Sequence, residues 1–564
     1  MKKTPFLLAQ SILLSTILSA LSLLLIDPVW GFYDSFMALL ASGSLGGVFI
    51  EESYHLGMRG IIPILGLLHH AIPEIPWLGC LMFTSWIFIQ SSVIYFSAIT
   101  FLPSKSQNIF GVTAMWFTLQ LLVFGFSFIE FSITGMGLLL TFTAGCTLFQ
   151  VSQNKLTITE YLFWIMLSGI ALYIGYGMRL ESGIGGTILS GVYIVCAKRE
   201  PLVWVKSLWL PILVSFIALF SYQDAVKKSF FFDKVEPLIF YVTDSKNKPE
   251  FAAKDEIDKA INEMARSSCL IDSSVVNYEL FSRLAQEKRK YESGILFSPV
   301  RIACQIRNVI SPTIANNKTI TCLAAIILLC GLFISFSCID KNLFKSLILF
   351  NSALIMIILF LSYSMKMEQW HYIPLLQILI LGNLLLSGNM WYAYMEGSPI
   401  TRMVSYGIFV SMILFYLSEN IRNHQSINEK VALQKEIERE NQNNFIFYDV
   451  GTRELLDNFV FRIYQPKNNV YFYDLAQLVY LKEYSNRLNE LCSCNSFSPV
   501  EFFDFLRHSN NEIYISTEQR SRILKDFINS VHHMNINFGE LKQYELSNTA
   551  HTQSVTKCIV YAVN

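Results

Sequence analysis

The chain has 564 residues, of which 53% are hydrophobic, 14% aromatic and only 15% charged, too apolar for an ordinary soluble enzyme and in the range of a polytopic membrane protein. Its 43 Lys and Arg balance 43 Asp and Glu, which argues against nucleic acid as a partner, since that binding rests on clustered basic charge. Cys80, Cys146, Cys196 and Cys330 fall inside apolar runs, where a thiol behaves as a small hydrophobe, and no zinc or redox spacing emerges from the others.

In chain order, Lys2 and Lys3 precede an apolar run over 6–26 that closes on Asp27-Pro28, which reads as a retained anchor with its N-terminus in the cytoplasm. Further runs long enough for spans lie near 78–101, 109–128, 131–150, 158–177, 183–197, 203–220, 319–338, 343–363, 372–389 and 401–418. A shorter run, 57–72, ends in HHAIPEIPW. With that run lying in the outer interface, Lys105, Lys155, Lys198, Arg199, Lys206, Lys341, Lys345 and Arg402 all fall on the side of Lys2 and Lys3. This asymmetry is what short cytoplasmic loops carry, so the sequence predicts about eleven transmembrane helices.

The same topology puts 27–77, the 175–182 turn, a loop over 221–318 and the tail 419–564 outside the cytoplasm. In the loop, KDEIDKAINEMARSSCLI and NYELFSRLAQEKRKYE carry apolar residues at helical spacing and predict two packed helices. The tail begins with a charged helix, NEKVALQKEIERENQ, and continues with strand-like pieces NFIFYDV, NVYFYDL, NEIYIS and KCIVYAV, the pattern of a small α/β domain. The predicted organisation is a membrane domain over 1–418 and an extracytoplasmic α/β domain over 419–564.

Charge at the edge of a membrane bundle is expensive and faces a partner or a wet cavity. Arg179 and Glu181 stand in GYGMRLESGIGG, between two spans. Read from the residues alone, they are either a site or an interfacial anchor with a neighbouring carboxylate. The five glycines of that stretch suit either an irregular turn beside a ligand or close helix packing. Asp34 follows the first span in WGFYDSFMALLASGSLGG and is equally an acid favoured by a helix N-terminus. Glu51 and Glu52 come next in FIEESYHLG, Glu130 and Thr134 sit in FSFIEFSITGMG, and Lys366 and His371 sit in YSMKMEQWHYIP, whose Trp and Tyr are expected interfacial anchors. A cation at that depth can hold a lipid phosphate.

These pieces in this order resemble the GT-C superfamily of integral membrane glycosyltransferases, whose first outer loop carries an acidic motif after the first span. More closely, DSFMALLASGSLGG, GMRGIIPILGLL and PEIPW look like a poorly characterised bacterial GT-C-like group. The recognisable motifs cover about a quarter of the chain. Where that group has an acidic pair, this chain has Tyr33-Asp34, a single carboxylate; its outer turn, usually Q-F-T, is Glu130-Phe131-Ser132.

The resemblance implies an inverting transferase in a bacterial cytoplasmic (inner) membrane. It would take a sugar from a polyprenyl-phosphate donor to a surface glycan or glycolipid acceptor outside the bilayer, in cell-envelope polysaccharide biosynthesis. It makes Asp34 the general base, or the ligand of a divalent metal (Mg or Mn) in metal-dependent relatives. Arg179 becomes the phosphate contact, and Glu181 its orienting partner or a sugar-hydroxyl acceptor. Glu51, Glu52, Glu130, Lys366 and His371 would line the substrate cavity. The other readings are a polysaccharide polymerase or ligase, a glycan-lipid transporter or flippase, and a degenerate scaffold that binds a glycan lipid without turning it over.

Overall fold

The computed structural model describes residues 4–26, 29–30, 60–101, 130–197, 200–225, 234–243, 253–266, 277–293, 341–364, 369–397, 431–449, 470–472, 498–508, 512–547 and 555–563, with scattered positions between them. The membrane part consists of α1 (Thr4–Ile26), β1 (Val29–Trp30), α2 (Ile62–Ala71), α3 (Trp77–Phe101), β2 (Glu130–Phe131), α4 (Ile133–Gln153), α5 (Ile158–Met178), α6 (Leu180–Ala197) and α7 (Pro201–Ala225). An insert follows with α8 (Glu236–Thr243), α9 (Glu256–Arg266) and α10 (Tyr278–Ser293), and then α11 (Lys341–Ser364) and α12 (Gln369–Gly397).

Among the described residues six helices, α3 to α7 and α11, are long and apolar enough to cross a membrane, and α1 and α12 carry shorter apolar stretches, Leu7–Ile17 and His371–Leu386. These match eight of the expected runs. The runs 109–128 and 401–418 lie outside the described residues, and of 319–338 only scattered helical positions are described. The run at 57–72 forms the 10-residue α2, about 15 Å long and so too short to span. On α5, Leu162, Met166 and Ile170 stand exposed one turn apart, as do Leu213 and Ile217 on α7. In water such stripes would be a liability; against lipid tails they cost nothing.

The bundle centres on α4, the most thoroughly buried of the candidate spans. Gly137, Thr141 and Gly145 repeat every fourth residue on α4, and Ser182, Gly186 and Ser190 do so on α6, so the two backbones meet along small side chains. A Cβ at Gly186 would run into Thr141 and the Leu138 carbonyl, and one at Gly145 into Ser190. Polar side chains tie other pairs. Ser19 donates to Gln90 Oε1 at 2.8 Å between α1 and α3, and Asn351 and Asn383 exchange two hydrogen bonds, 2.8 and 2.7 Å, between α11 and α12. The buried Glu160 closes a capping box with Thr157 at the start of α5 and accepts from the Tyr95 hydroxyl of α3 at 3.2 Å.

The tail contains α13 (431–440), β3 (Phe445–Tyr448), β4 (Val470–Phe472), α14 (Pro499–His508), β5 (Glu512–Thr517), α15 (Glu518–Val531), β6 (Phe538–Ser547) and β7 (Val555–Val563). Its five-stranded sheet has the order β4-β3-β5-β7-β6, with β4, β3 and β5 parallel, β7 antiparallel to β5, and β6 antiparallel to β7. The four strand-like pieces read from the sequence are β3, β4, β5 and β7. The edge strand β6 is additional.

The insert forms both helices expected of it, α9 and α10, but it does not stand alone. Met264 and Ala265 of α9 and Phe281 and Leu284 of α10 share one hydrophobic core with Phe447 and Tyr514 of the sheet and with Phe502 and Phe527 of α14 and α15. Within the insert, Arg283 grips Asp258 with two hydrogen bonds, 2.8 and 3.2 Å, and reaches Asn262 at 3.1 Å.

Hydrogen bonding from Arg283 holds the Asp258 carboxyl below its ordinary value. A carboxylate depressed on folding stabilises above its unfolded pKa, about 3.9, and that contribution fades as the pH falls through the folded value. Thermal unfolding followed from pH 6 towards pH 3 is expected to lose part of its stability at the acid end, and Asp258→Asn to flatten that part of the profile. An unchanged profile in the variant would show the pair to be energetically idle.

Candidate functional site

Four chain segments meet at one end of the bundle. The parallel pair β1–β2 matches Val29 with Glu130 and Trp30 with Phe131, so the strand that leads towards Asp34 runs beside the strand that enters α4. Ser132 caps α4, its hydroxyl accepting from the Gly135 N–H at 3.2 Å. The third segment is the joint between α5 and α6, and the fourth is the first turn of α12, where His371 lies.

The α5–α6 joint is one residue long. Arg179 alone is extended, at φ −158° and ψ 117°. Its N–H donates to Gly175 O at 3.4 Å and its carbonyl accepts from Gly183 N at 2.9 Å, so it closes one helix and opens the next. So abrupt a reversal brings the first turn of α6 against Tyr176; a Cβ at Gly183 would lie 2.6 Å from that ring. Two glycines of this stretch are therefore answered by packing: Gly183 admits Tyr176, and Gly186 admits α4.

From this fixed backbone the Arg179 side chain reaches α4, where Nη1 donates to Thr134 Oγ1 at 2.8 Å. Its Nε lies 3.7 Å from Glu181 Oε2, with side-chain exposures of 32% for Arg179 and 60% for Glu181. His371, half-buried at the start of α12, is close enough to feel the Arg179 charge. Arg179 thus sits beside the positive end of α4, one cation and one helix N-terminus together, an arrangement that favours an anion.

Of the residues singled out from the sequence, Arg179, Glu181 and His371 come together, while Glu130 lies in β2, paired with Val29, just before α4. Asp34, Glu51, Glu52 and Lys366 lie outside the described residues. Thr134 was placed at an outer turn by the sequence but not as the partner of Arg179. Among the described residues no group of three or more His, Cys, Asp or Glu side chains is placed to hold a metal ion. Compared with family models, with curated proteins and with solved structures, the chain matches none.

Proposed function

We propose that the chain is a membrane glycosyltransferase. It moves a sugar from a polyprenyl-phosphate donor to a surface glycan or lipid-linked acceptor at the outer membrane face. The observation that carries this reading is Arg179, bound to Thr134 at the N-terminus of α4 and one-third exposed at the end of the bundle where β1 pairs with β2.

The chemistry asks for two groups. A carboxylate takes the proton of the acceptor hydroxyl as its oxygen bonds to the anomeric carbon; the bond from that carbon to the phosphate oxygen breaks, and the phosphate leaves with the electron pair. A cation held in place against the leaving phosphate stabilises the charge that develops there. Asp34 is assigned the first task and Arg179 the second, with Glu181 restraining Arg179 or accepting from a sugar hydroxyl. Inversion follows if the hydroxyl attacks opposite the phosphate.

The core shared by the insert and the tail supports a topology with both on one side of the membrane and an even number of crossings between them. On the proposed topology that side is extracytoplasmic, above the donor and acceptor. The cluster at one end of the helices favours a transferase over a transporter, whose charged site belongs near the midplane.

The test is mass analysis of surface glycans from cells lacking the protein, complemented at matched membrane abundance with wild type, Asp34→Asn or Arg179→Ala. Wild type is expected to restore a defined sugar, and Arg179→Ala to lower its transfer by about 10²–10³-fold, the usual cost of removing one charge-stabilising donor. Full restoration by both variants would overturn the assigned site and move a transport or scaffold role ahead.

A further inference from the structure

We infer that Thr134 is a positioning residue: its hydroxyl sets the Arg179 guanidinium for a phosphate. This rests on the donor reading above and goes beyond it, because the residue touches Arg179 and not the reacting atoms.

The backbone of Arg179 is held on both sides, through Gly175 O and Gly183 N, but an arginine side chain is long and samples many rotamers. Something must restrain the guanidinium if it is to meet an anion without losing that freedom on binding. Among the described residues two groups touch it, Thr134 Oγ1 at 2.8 Å and Glu181 Oε2 at 3.7 Å. They differ in stiffness. Thr134 is β-branched in the first turn of a helix and 8% exposed, so its hydroxyl is a fixed post. Glu181 is 60% exposed on its side chain and sits on an unbranched stem with more rotatable bonds.

They differ also in charge. Glu181, 3.7 Å from Nε, offsets part of the guanidinium charge. The Thr134 hydroxyl accepts one N–H and orients the planar fork without adding a second countercharge. A guanidinium has five N–H donors, and among the described residues only Thr134 and Glu181 meet them, which leaves donors of the fork for a bidentate grip on phosphate. Because Thr134 stands in the first turn of α4, the same bond keeps the cation beside the helix N-terminus.

A purely structural Thr134 would tie α4 to the α5–α6 joint and affect every lipid alike. A positioning Thr134 affects only the phosphate. The experiment therefore measures binding of undecaprenyl phosphate and of the neutral undecaprenol to the full chain in nanodiscs, and reads the ratio of the two affinities. Wild type is expected to favour the phosphate; Thr134→Val to lower that preference about tenfold, as expected for losing one hydrogen bond to a charged group; and Thr134→Ser to restore it.

Arg179→Ala should abolish the preference. If Thr134→Val keeps the wild-type ratio while Arg179→Ala loses it, the positioning role is overturned and the donor reading stands. If Thr134→Val weakens both lipids in proportion and serine does not rescue, the role is structural and the inference fails. If wild type shows no preference, both readings fall.

Discussion

Asp449→Ala is expected to lower the stability of the unit formed by insert and tail by about 3–5 kcal/mol, the cost of removing one member of a buried ion pair. Asp449 directly follows β3, 2% exposed, and its N–H donates to Ile515 O at 3.0 Å, adding one bond to the β3–β5 ladder. Its carboxylate accepts from the hydroxyls of Ser516 and Tyr514 and lies 3.4 Å from Arg520 Nε, whose side chain is only 14% exposed. Alanine would remove an acceptor from both hydroxyls and a buried countercharge from the guanidinium. Asp449→Asn keeps the shape and part of the hydrogen bonding, so a smaller loss of about 1–3 kcal/mol follows. Pulse proteolysis across a urea series measures both, and a loss below about 1 kcal/mol in the alanine variant would show the pair to be slack.

The place of that pair in the sheet gives it meaning. The chain passes from β3 to β4 on one side and then crosses to β5 on the other, so the sheet reverses direction between β3 and β5. In open sheets of parallel strands the carboxyl ends at such a point leave a crevice where ligands bind. Here Asp449 and Arg520 meet at that point, from the end of β3 and from the first turn of α15. The pair ties β3 to the helix that follows β5, so the loss expected on breaking it is one of cohesion.

The sequence made some of this legible and hid the rest for physical reasons. Strands β3, β5 and β7 announce themselves because buried residues such as Ile446, Ile513 and Val560 are set among β-formers over a short run. Strand β6, FGELKQYELS, is an edge strand whose Glu540, Lys542 and Glu545 dilute the apolar signal, while Lys542 pairs with Glu440 of α13 at 2.8 Å.

At the site, the charges could be read but not their meeting, since Thr134 and Arg179 are brought together only when α5 and α6 reverse within a single residue. The fourfold spacing of Gly137, Thr141 and Gly145 against Ser182, Gly186 and Ser190 was present in the letters. It is the signal that would have assigned those glycines to packing. The shared core of insert and tail had no such signal, because each helix shows only that it has an apolar face and not which face it meets.

That shared core leads to the second large effect: Phe527→Ala in the tail is expected to loosen the insert as well. Phe527 is fully buried on α15, in one cluster with Met264 and Ala265 of α9 and Phe447 of β3. Truncating a buried aromatic side chain costs about 3–5 kcal/mol through lost transfer energy and the cavity left behind. In separate domains that cost would stay with the tail. In a joint core it falls on α9 too, whose inward face has α15 as a packing neighbour. Hydrogen exchange in peptides from 256–266 should accelerate together with those from 518–531 in the variant, while peptides from α4 and α6 keep wild-type protection. Faster exchange confined to 518–531 would show that insert and tail unfold independently and would remove the argument that places both on one side of the membrane. Joint acceleration would make them one folding unit assembled from two distant parts of the chain, held over the end of the bundle where Arg179 stands on the proposed topology.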